Sequence, residues 1–119
     1  MFDYDEKNIF AQIIKGDIPA DIVFEDDDFS CFKDITAQAP IHLLLIPKNK
    51  KITSMIEAQG KDADWLGVMM VLATKIAKIH GLNESGYRLI FNSGKDAGQT
   101  VFHLHLHIIG GKRLSGKMV

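Results

Sequence analysis

Apolar and polar residues alternate strictly near the C-terminal end of the chain, between Phe102 and Ile109. His103, His105 and His107 occupy every second position, and leucine and isoleucine fill the positions between them. A period of two is typical of a β-strand, and it places the three imidazoles on one face and the apolar side chains on the other. A helix would align the first and third histidines but turn the second nearly to the opposite side. The pattern therefore predicts a strand with one imidazole-lined face.

The apolar pattern of the remaining chain predicts two helices and four further strands. A short apolar stripe followed by Gly16 predicts a helix over 5–15. A longer stripe predicts a second helix that begins at Asp62 or Asp64 and runs to about His80. Its buried face is expected to hold Leu66, Met69, Met70, Ala73, Ile76 and Ala77. The predicted strands, including the histidine strand, cover 21–25, 29–33, 41–47, 87–91 and 99–109.

This order of elements favours an α+β fold with a five-stranded antiparallel sheet and two helices, because the strands cluster and their connections are short. The uninterrupted apolar run from Leu43 to Ile46 indicates that the third strand lies centrally in the sheet. The chain has 119 residues, of which 46% are hydrophobic. That length and composition predict a single domain spanning 1–119.

Charge and cysteine content narrow the classes of partner and compartment. The formal net charge is −1, with 14 basic and 15 acidic residues, which argues against nucleic acid or an anionic membrane as a partner. Cys31 is the single cysteine, so no intrachain disulfide can form, which fits a reducing compartment. The first residues are acidic and lack the apolar stretch of a signal peptide. No apolar run approaches the roughly 20 residues of a membrane span, so a cytoplasmic location is expected.

Metal binding is one reading of the alternating histidines. Two histidines separated by one residue on a strand can share an ion, but His103 and His107 lie about 13 Å apart along an extended chain. A single ion with nitrogen ligands at about 2.1 Å cannot readily take all three rings. No cysteine or carboxylate near them in the sequence completes a ligand set. We therefore expect no metal and no cofactor.

Phosphorus chemistry is a second reading, and it uses a different property of imidazole. A neutral ring is a good nucleophile, and neighbouring rings can donate hydrogen bonds to a phosphate or a proton to a leaving group. The preceding loop supplies Gly98, Gln99 and Thr100, whose backbone N–H groups and hydroxyl can bind an anion. Asn92 ends the strand before that loop and is expected beside it. The loop lacks the Gly-Lys-Ser/Thr ending of a P-loop and is followed by a predicted strand rather than a helix.

These residues resemble a known family. The segment from His103 to Ile109 fits the alternating signature of the histidine triad superfamily. The resemblance extends over nearly the whole chain, and its motifs look like those of the Hint branch, the purine nucleoside phosphoramidases. The matching segments are Ile9-Phe10 with Ile18-Pro19, Phe32-Lys33-Asp34-Ile35, Gln38-Ala39-Pro40-Ile41-His42 and Gly98-Gln99-Thr100-Val101-Phe102. The nucleotidylyltransferase branch carries glutamine in place of the third histidine, so His107 argues against it.

The resemblance implies a role for each catalytic histidine. His105 would attack the α-phosphorus of a purine nucleotide derivative and become transiently nucleotidylated. His103 and His107 would flank it, with His107 contacting the phosphate and the leaving group. His42 would approach the triad from the third strand and assist proton movement. The family also forms a homodimer in which the two sheets join into one.

The resemblance also implies how the nucleotide is held. Asn92, Gly98 and Thr100 would bind phosphate oxygens, and Asp34 would accept hydrogen bonds from the ribose hydroxyls. The purine would lie in an apolar pocket lined by Ile9, Phe10, Ile13, Phe32, Ile35 and Leu44. From the residues alone, Asp34 is more typical of a turn residue beside a strand end, and Ile9, Phe10 and Ile13 would be assigned to the core face of an amphipathic helix. His42 is equally a strand histidine with ordinary hydrogen bonds.

Several positions depart from the family pattern. Thr100 stands where serine is common, so the hydroxyl is kept and a methyl group is added. Thr36-Ala37 replaces a frequent Ser-Pro, and Lys50 replaces a histidine that extends the proton relay in some members. Any relay is therefore expected to stop at His42. The tail after Gly111 lacks the tryptophan that some members use across the dimer.

Three functions stay open at this point. The primary hypothesis is hydrolysis of adenosine or guanosine 5′-phosphoramidates through a nucleotidyl-histidine intermediate. The first alternative is a dinucleoside polyphosphate hydrolase of the same superfamily, and the second is a nucleotide-binding regulatory module. The physiological substrate, its leaving group and the choice between adenine and guanine are not fixed by these residues.

Overall fold

The computed structural model describes residues 3–117, which form two helices and one five-stranded sheet. The elements in chain order are α1 (Ile9–Lys15), β1 (Ile22–Glu25), β2 (Phe29–Lys33), β3 (Ile41–Pro47), α2 (Ala63–Ile79), β4 (Tyr87–Ile90) and β5 (Leu106–Gly110). Single 3₁₀ turns lie at Met55–Glu57, Gly60–Asp62 and Lys95–Ala97. The predicted α+β class with an antiparallel sheet is confirmed.

The strand order is β1-β2-β3-β5-β4, and every neighbouring pair is antiparallel. β3 occupies the central position, as its apolar run predicted. Leu43 pairs with Ile108 of β5, and Leu44 pairs with His107. Because side chains alternate between the two faces of a sheet, His107 shares a face with Leu44 and not with Leu43.

The sheet separates two apolar clusters. On one face, Leu43, Leu45, Leu106 and Ile108 pack with Met69 and other α2 side chains. The opposite face carries a smaller cluster made of Phe10, Phe32, Leu44 and Ile46. Phe10 of α1 contacts Phe32 edge-on, with ring centroids 5.4 Å apart. The face that carries α1 therefore has a smaller apolar cover than the face covered by α2.

Helix α1 begins four residues later than the sequence predicted. Asn8 caps it, since its side-chain oxygen accepts a hydrogen bond from Ala11 N at 2.9 Å. Asp5 lies in the preceding turn and accepts from Asn8 N through its carbonyl. Because the Asn8 side chain satisfies the amide of Ala11, the helix begins directly after Asn8. Gly16 ends the helix with φ of 82°, as predicted.

Helix α2 has its predicted bounds, but one residue predicted on its buried face is exposed. Asp62 precedes the helix, yet its carboxylate accepts from Gln59 N and Trp65 Nε1 and not from the first helical amides. Met69 and Ala73 are buried as predicted. Met70 was predicted to be buried, and this is wrong: it is 38% exposed, because it lies at the border of the face that meets the sheet.

The histidine strand is shorter than the alternation predicted, because regular pairing begins only at Leu106. Residues 99–105 bond elsewhere: Gln99 N donates to Gly94 O, and Leu104 N donates to Ile52 O. The alternation of faces nevertheless extends through this segment. Leu104 is buried in the α2-side cluster, and His105 contacts Phe10 on the other side. β4 is also one residue shorter than predicted and ends at Ile90.

Candidate active site

His42 and His107 meet on the α1 side of the sheet because β3 and β5 are neighbours. His42 pairs with Ile109, two residues beyond His107, so the two rings are diagonal neighbours on one face. Nε2 of His42 lies 2.8 Å from Nδ1 of His107. The two rings are therefore joined by a direct hydrogen bond.

The hydrogen-bond partners of His42 fix the tautomers of both rings. Gln38 N donates to Nδ1 of His42 at 3.0 Å, so the proton of the neutral ring is on Nε2. His42 then donates to Nδ1 of His107, whose own proton must be on Nε2. Burial lowers the pKa of His107 from 6.5 to about 4, and His105 and His42 act in the same direction. Within residues 3–117, the Nε2–H of neutral His107 is left for a ligand, and no further ring continues the hydrogen bond beyond His42.

Asp34 stands at the end of β2 beside this pair. Its Oδ2 lies 3.3 Å from Nε2 of His42, and its Oδ1 accepts from both N and Oγ1 of Thr36 at 2.9 Å. Burial lowers the pKa of His42, while the charge of Asp34 acts in the opposite direction. A carboxylate has about four lone-pair sites, so Asp34 keeps acceptor capacity beyond these contacts.

Asp34, His42 and His107 offer three ligand atoms within 4.8 Å of one another. The sequence did not predict this group, because Asp34 is distant from the triad along the chain. The two imidazole nitrogens are 2.8 Å apart and share a proton, whereas tetrahedral zinc with nitrogens at about 2.05 Å needs them about 3.3 Å apart. In the structure described, these atoms serve a hydrogen bond and a charge contact.

His103 uses both ring nitrogens on the protein. Its Nε2 lies 2.9 Å from the carbonyl oxygen of Pro47, which can only accept, so Nε2 carries the proton. Its Nδ1 lies 2.7 Å from the hydroxyl of Tyr4, which therefore donates. Burial lowers the pKa of His103 to about 4, although the Pro47 contact opposes this. The ring is neutral, and neither nitrogen is left to meet a substrate.

His105 has the opposite tautomer. Its Nδ1 lies 2.7 Å from the backbone carbonyl of His103, so the proton is on Nδ1 and the lone pair is on Nε2. Burial lowers the pKa of His105, against the opposing effects of that hydrogen bond and of Asp34. Phe10 contacts the ring edge-on at a centroid distance of 4.9 Å, and His107 lies 5.1 Å away. This site thus combines one unprotonated imidazole nitrogen with a neighbouring imidazole N–H.

The loop before the triad is held from inside by Gln99. Its side-chain oxygen accepts from Gly94 N at 2.8 Å, and its amide donates to Thr53 O and Val101 O at 2.7 and 3.0 Å. Gly98 adopts a φ of 78°, a conformation that favours glycine. Thr100 and Gly98 are exposed, and Asn92, two residues after β4, is half-buried. The loop surface is open to a ligand while its centre is anchored.

Comparison with known proteins assigns the chain to a family. The family model of the HIT domain matches residues 15–114. The chain belongs to the HIT domain family. It is 44% identical to the purine nucleoside phosphoramidase of Escherichia coli (strain K12) over 109 residues, covering 92% of this chain and 91% of that protein.

Solved HIT structures have the same fold. A HIT family hydrolase from Legionella pneumophila Philadelphia 1 superposes with a TM-score of 0.89 at 43% identity, covering 92% of this chain and 97% of that one. A histidine triad protein from Clostridium difficile gives a TM-score of 0.89 at 40% identity, covering 96% and 98%. The resemblance deduced from the histidine pattern is therefore confirmed at the level of family and fold.

The HIT fold places only part of the predicted purine pocket in one apolar cluster. Phe10, Phe32 and Leu44 are buried together, with Ile13 packed against them. Ile9 is 43% exposed and Ile35 is 96% exposed, so neither joins the cluster. Ile35 follows Asp34 in a surface turn, where an apolar side chain has no neighbour to pack against in the residues described, 3–117. Both remain predicted contacts of a bound purine.

Sequence reasoning missed two residues of this HIT site. Gln99 was considered only as part of an anion-binding loop, and its buried amide contacts were not predicted. Tyr4 was read only as part of an acidic N-terminal segment, and its bond to His103 joins residues 99 positions apart. No local pattern indicates such a contact. A half-buried polar aromatic side chain usually has a hydrogen-bond partner, but the sequence does not say which one.

Proposed function

We propose that this HIT protein is a purine nucleoside phosphoramidase, which hydrolyses the P–N bond of adenosine or guanosine 5′-phosphoramidates. The observation that carries the proposal is the tautomer of His105. Its Nδ1–H is committed to the His103 carbonyl at 2.7 Å, which leaves the Nε2 lone pair for the α-phosphorus. The name of the E. coli relative, 44% identical over 92% of this chain, supports the same substrate class.

In the first step, the Nε2 lone pair of His105 forms a bond to phosphorus as the P–N bond breaks. The electron pair of the P–N bond goes to the amine nitrogen, which takes a proton from Nε2 of His107. The products of this step are the free amine and a nucleotidyl group on His105. Splitting one displacement into two steps lets a buried imidazole, rather than water, attack the amide-bearing phosphorus.

This step requires one more proton than the hydrogen-bonded pair of His42 and His107 carries in the free protein. Neutral His42 and neutral His107 carry one proton each, and the loss of one would leave an imidazolate. A proton must therefore arrive with the substrate or be taken up as it binds. The negative charge of a bound phosphate raises the pKa of His107 from its value of about 4 in the free protein. The added proton is placed on Nδ1 of His42, which opens its contact with Gln38 N, while the proton on Nε2 of His42 passes to Nδ1 of His107. The His107 imidazolium so formed gives its Nε2 proton to the amine, and the neutral ring that results has a lone pair on Nε2.

In the second step, water attacks the nucleotidyl phosphorus and the bond to Nε2 of His105 breaks. His107, now neutral, accepts the proton from that water, and the nucleoside monophosphate is released. Asp34 lies 3.3 Å from His42 and stabilises positive charge on the paired rings. Neither step uses a metal ion or a cofactor.

The remaining predicted residues are assigned to binding. We propose that Asn92, Gly98 and Thr100 hold the phosphate oxygens and that Asp34 binds the ribose hydroxyls with its remaining acceptor sites. The edge contact between Phe10 and His105, with centroids 4.9 Å apart, supports a purine site beside the nucleophile. Ile9, Ile13, Phe32, Ile35 and Leu44 complete the proposed pocket. Catalysis then rests mainly on positioning and on charge stabilisation.

We propose further that the protein is a homodimer in which β4 of each copy continues the sheet, and that it works in the cytoplasm. β4 is an edge strand of the sheet in the described residues, and an uncovered edge can pair with a second strand. Within residues 3–117, none of the helices is long and apolar enough to span a bilayer.

The direct test is His105→Ala, assayed on adenosine and guanosine phosphoramidates. We expect at least about a thousandfold loss of turnover, because the nucleophile is removed, while calorimetry still detects binding of the nucleoside monophosphate. His80→Ala is the matched control, since His80 lies at the end of α2 and bonds its own helix. Full activity in His105→Ala contradicts the nucleophile assignment.

Trapping the intermediate tests the same assignment independently. His107→Ala mixed with a purine nucleoside 5′-phosphate ester of p-nitrophenol, whose leaving group needs no proton, should accumulate a nucleotidyl adduct on His105, detected by mass spectrometry of proteolytic peptides. An adduct on any other residue refutes the mechanism. Parallel rates on diadenosine polyphosphates separate the phosphoramidase from a dinucleoside polyphosphate hydrolase. A protein that binds purine nucleotides but turns over neither substrate class would instead be a nucleotide-binding regulatory module.

A further inference from the structure

The segment before α1 contacts the triad from the side opposite to His107. Tyr4 is half-buried, and its hydroxyl lies 2.7 Å from Nδ1 of His103. The two rings are tilted against each other with centroids 5.6 Å apart. Phe10 contacts the same His103 ring edge-on at 6.3 Å. His103 is thus enclosed by side chains from the start of the chain.

Local hydrogen bonds hold this segment in place. Asp5 accepts from Lys7 N through its carboxylate and from Asn8 N through its carbonyl, at 2.9 and 3.0 Å. Glu6 forms an ion pair with Lys51 at 2.8 Å. Both side chains of that pair are exposed, so it contributes little to the position of the segment. The Asp5 bonds instead hold the turn that follows Tyr4.

We propose that Tyr4 is a positioning residue for the nucleophile and that it acts through His103. The Tyr4 hydroxyl donates to Nδ1 of His103, which keeps the proton of that ring on Nε2 and directed at Pro47 O. Two bonds on opposite sides of the ring fix the residue, and its backbone carbonyl is the acceptor for Nδ1–H of His105. The inference rests on the proposed role of His105 as nucleophile.

The chemistry of the phenol suits this task. A phenolic hydroxyl can donate or accept, but here it must donate, because Nδ1 of neutral His103 has only a lone pair. Burial raises the pKa of Tyr4, with the Asn8 side chain acting in the opposite direction, so the hydroxyl keeps its proton at neutral pH. Without a donor, a buried ring nitrogen is left unpaired, or the ring changes tautomer and loses the Pro47 bond. Either change moves the carbonyl that orients His105.

The test is Tyr4→Phe, which removes the hydroxyl and keeps the ring. We expect kcat on a nucleoside phosphoramidate to fall by roughly three- to tenfold, the equivalent of one hydrogen bond of ordinary strength, with KM unchanged. In ¹⁵N-histidine NMR spectra, the Nδ1 resonance of His103 should shift to that of a ring nitrogen without a donor. Glu6→Gln is the matched control, because it removes the Lys51 ion pair of the same segment but keeps the hydroxyl. It should leave both kcat and the His103 resonances unchanged.

Two results overturn the proposal. The first is a wild-type spectrum in which Nδ1 of His103 carries the proton, a result that needs no variant and no activity. The second is a Tyr4→Phe protein with wild-type kcat, or one whose loss is matched by Glu6→Gln. Because the tautomer is measured without turnover, a protein inactive on phosphoramidates but with the expected His103 spectrum contradicts the proposed function and leaves the Tyr4–His103 contact supported.

Discussion

At the scale of single residues, the triad histidines differ in what their protonated nitrogens contact. His103 donates from Nε2 to a carbonyl, whereas His105 donates from Nδ1 to one. His107 accepts at Nδ1 from His42. The sequence pattern makes the three rings equivalent. The difference comes from the carbonyls of Pro47 and His103 and from the side chains of Tyr4 and His42. Only His105 is left with an unprotonated nitrogen that no protein group occupies in the described contacts.

These buried neutral rings make stability depend on pH. Burial lowers the pKa of His103 from 6.5 to about 4, so between these values the unfolded chain binds more protons than the folded one. The free energy of unfolding therefore rises with pH across this window. The contribution of this ring is lost progressively as pH falls below about 6.5. We expect a loss on the order of 2 kcal/mol from this ring between pH 7 and pH 5, measured by urea denaturation.

A variant isolates the contribution of His103 from that of the other titrating groups. His103→Gln cannot take up a proton, so the difference in unfolding free energy between pH 7 and pH 5 should shrink, whatever the absolute stability of the variant. His80→Gln, changed outside the site, should keep the wild-type difference. Equal stability of the wild-type protein at pH 5 and pH 7 would show that the folded rings are not held neutral.

At the scale of elements, the loop from Gly94 to Val101 depends on one buried amide. Gln99→Ala leaves the Gly94 N–H and the Thr53 and Val101 carbonyls without their partner. Each buried group left unpaired costs about 1–3 kcal/mol, so the free energy of unfolding should fall by at least that amount. Binding of adenosine monophosphate should weaken as well, because Gly98 and Thr100 belong to the same loop. Urea denaturation and calorimetry measure the two effects.

The control for this prediction is Asp96→Ala, an exposed change in the same loop. We expect it to alter stability by less than about 0.5 kcal/mol and to leave nucleotide affinity unchanged. Wild-type affinity in Gln99→Ala would mean that the loop keeps its binding conformation without the amide, and that the anchor serves folding alone.

The strands show which structural features the sequence predicts and which it does not. β2 and β3 have their predicted bounds because their apolar runs are bordered by turn residues. The histidine segment has the predicted alternation of faces but not the predicted pairing, since its first half bonds to Gly94 and Ile52 rather than to a strand. Period alone reports which way side chains point, and it says nothing about the partner of each backbone N–H.

The candidate site, like the fold, was predicted from the sequence only in part. The family motif identifies the histidines, and the HIT family is confirmed by the match over residues 15–114. The Asp34–His42 contact joins the facing ends of the β2–β3 hairpin, whereas the Tyr4–His103 contact comes from packing between distant segments, which no local pattern contains. The tautomers, and with them the proposed direction of proton transfer, could therefore be assigned only from the structure.

At the scale of the whole molecule, the sheet has two edges, β1 and β4. The C-terminal tail lies near the second edge, since Arg88 of β4 donates through its guanidinium to Ser115 O at 2.9 Å. Ile109 and Arg88 also border a cleft with residues 112–115, on the face that carries His107. If β4 pairs with its own copy, the tail of each chain lies beside the junction of the two sheets and close to an active-site face.

Hydrogen exchange distinguishes the two edges without any substitution. In the proposed dimer, the outward amides of Tyr87–Ile90 bond to the second copy and exchange slowly, and dilution should make them exchange faster. The outward amides of Ile22–Glu25 form the matched control, since β1 stays an edge and should exchange rapidly at every concentration. Sedimentation at the higher concentrations should give twice the chain mass of 13.3 kDa. Equal exchange at the two edges, or the mass of one chain at all concentrations, would contradict a sheet that continues through β4.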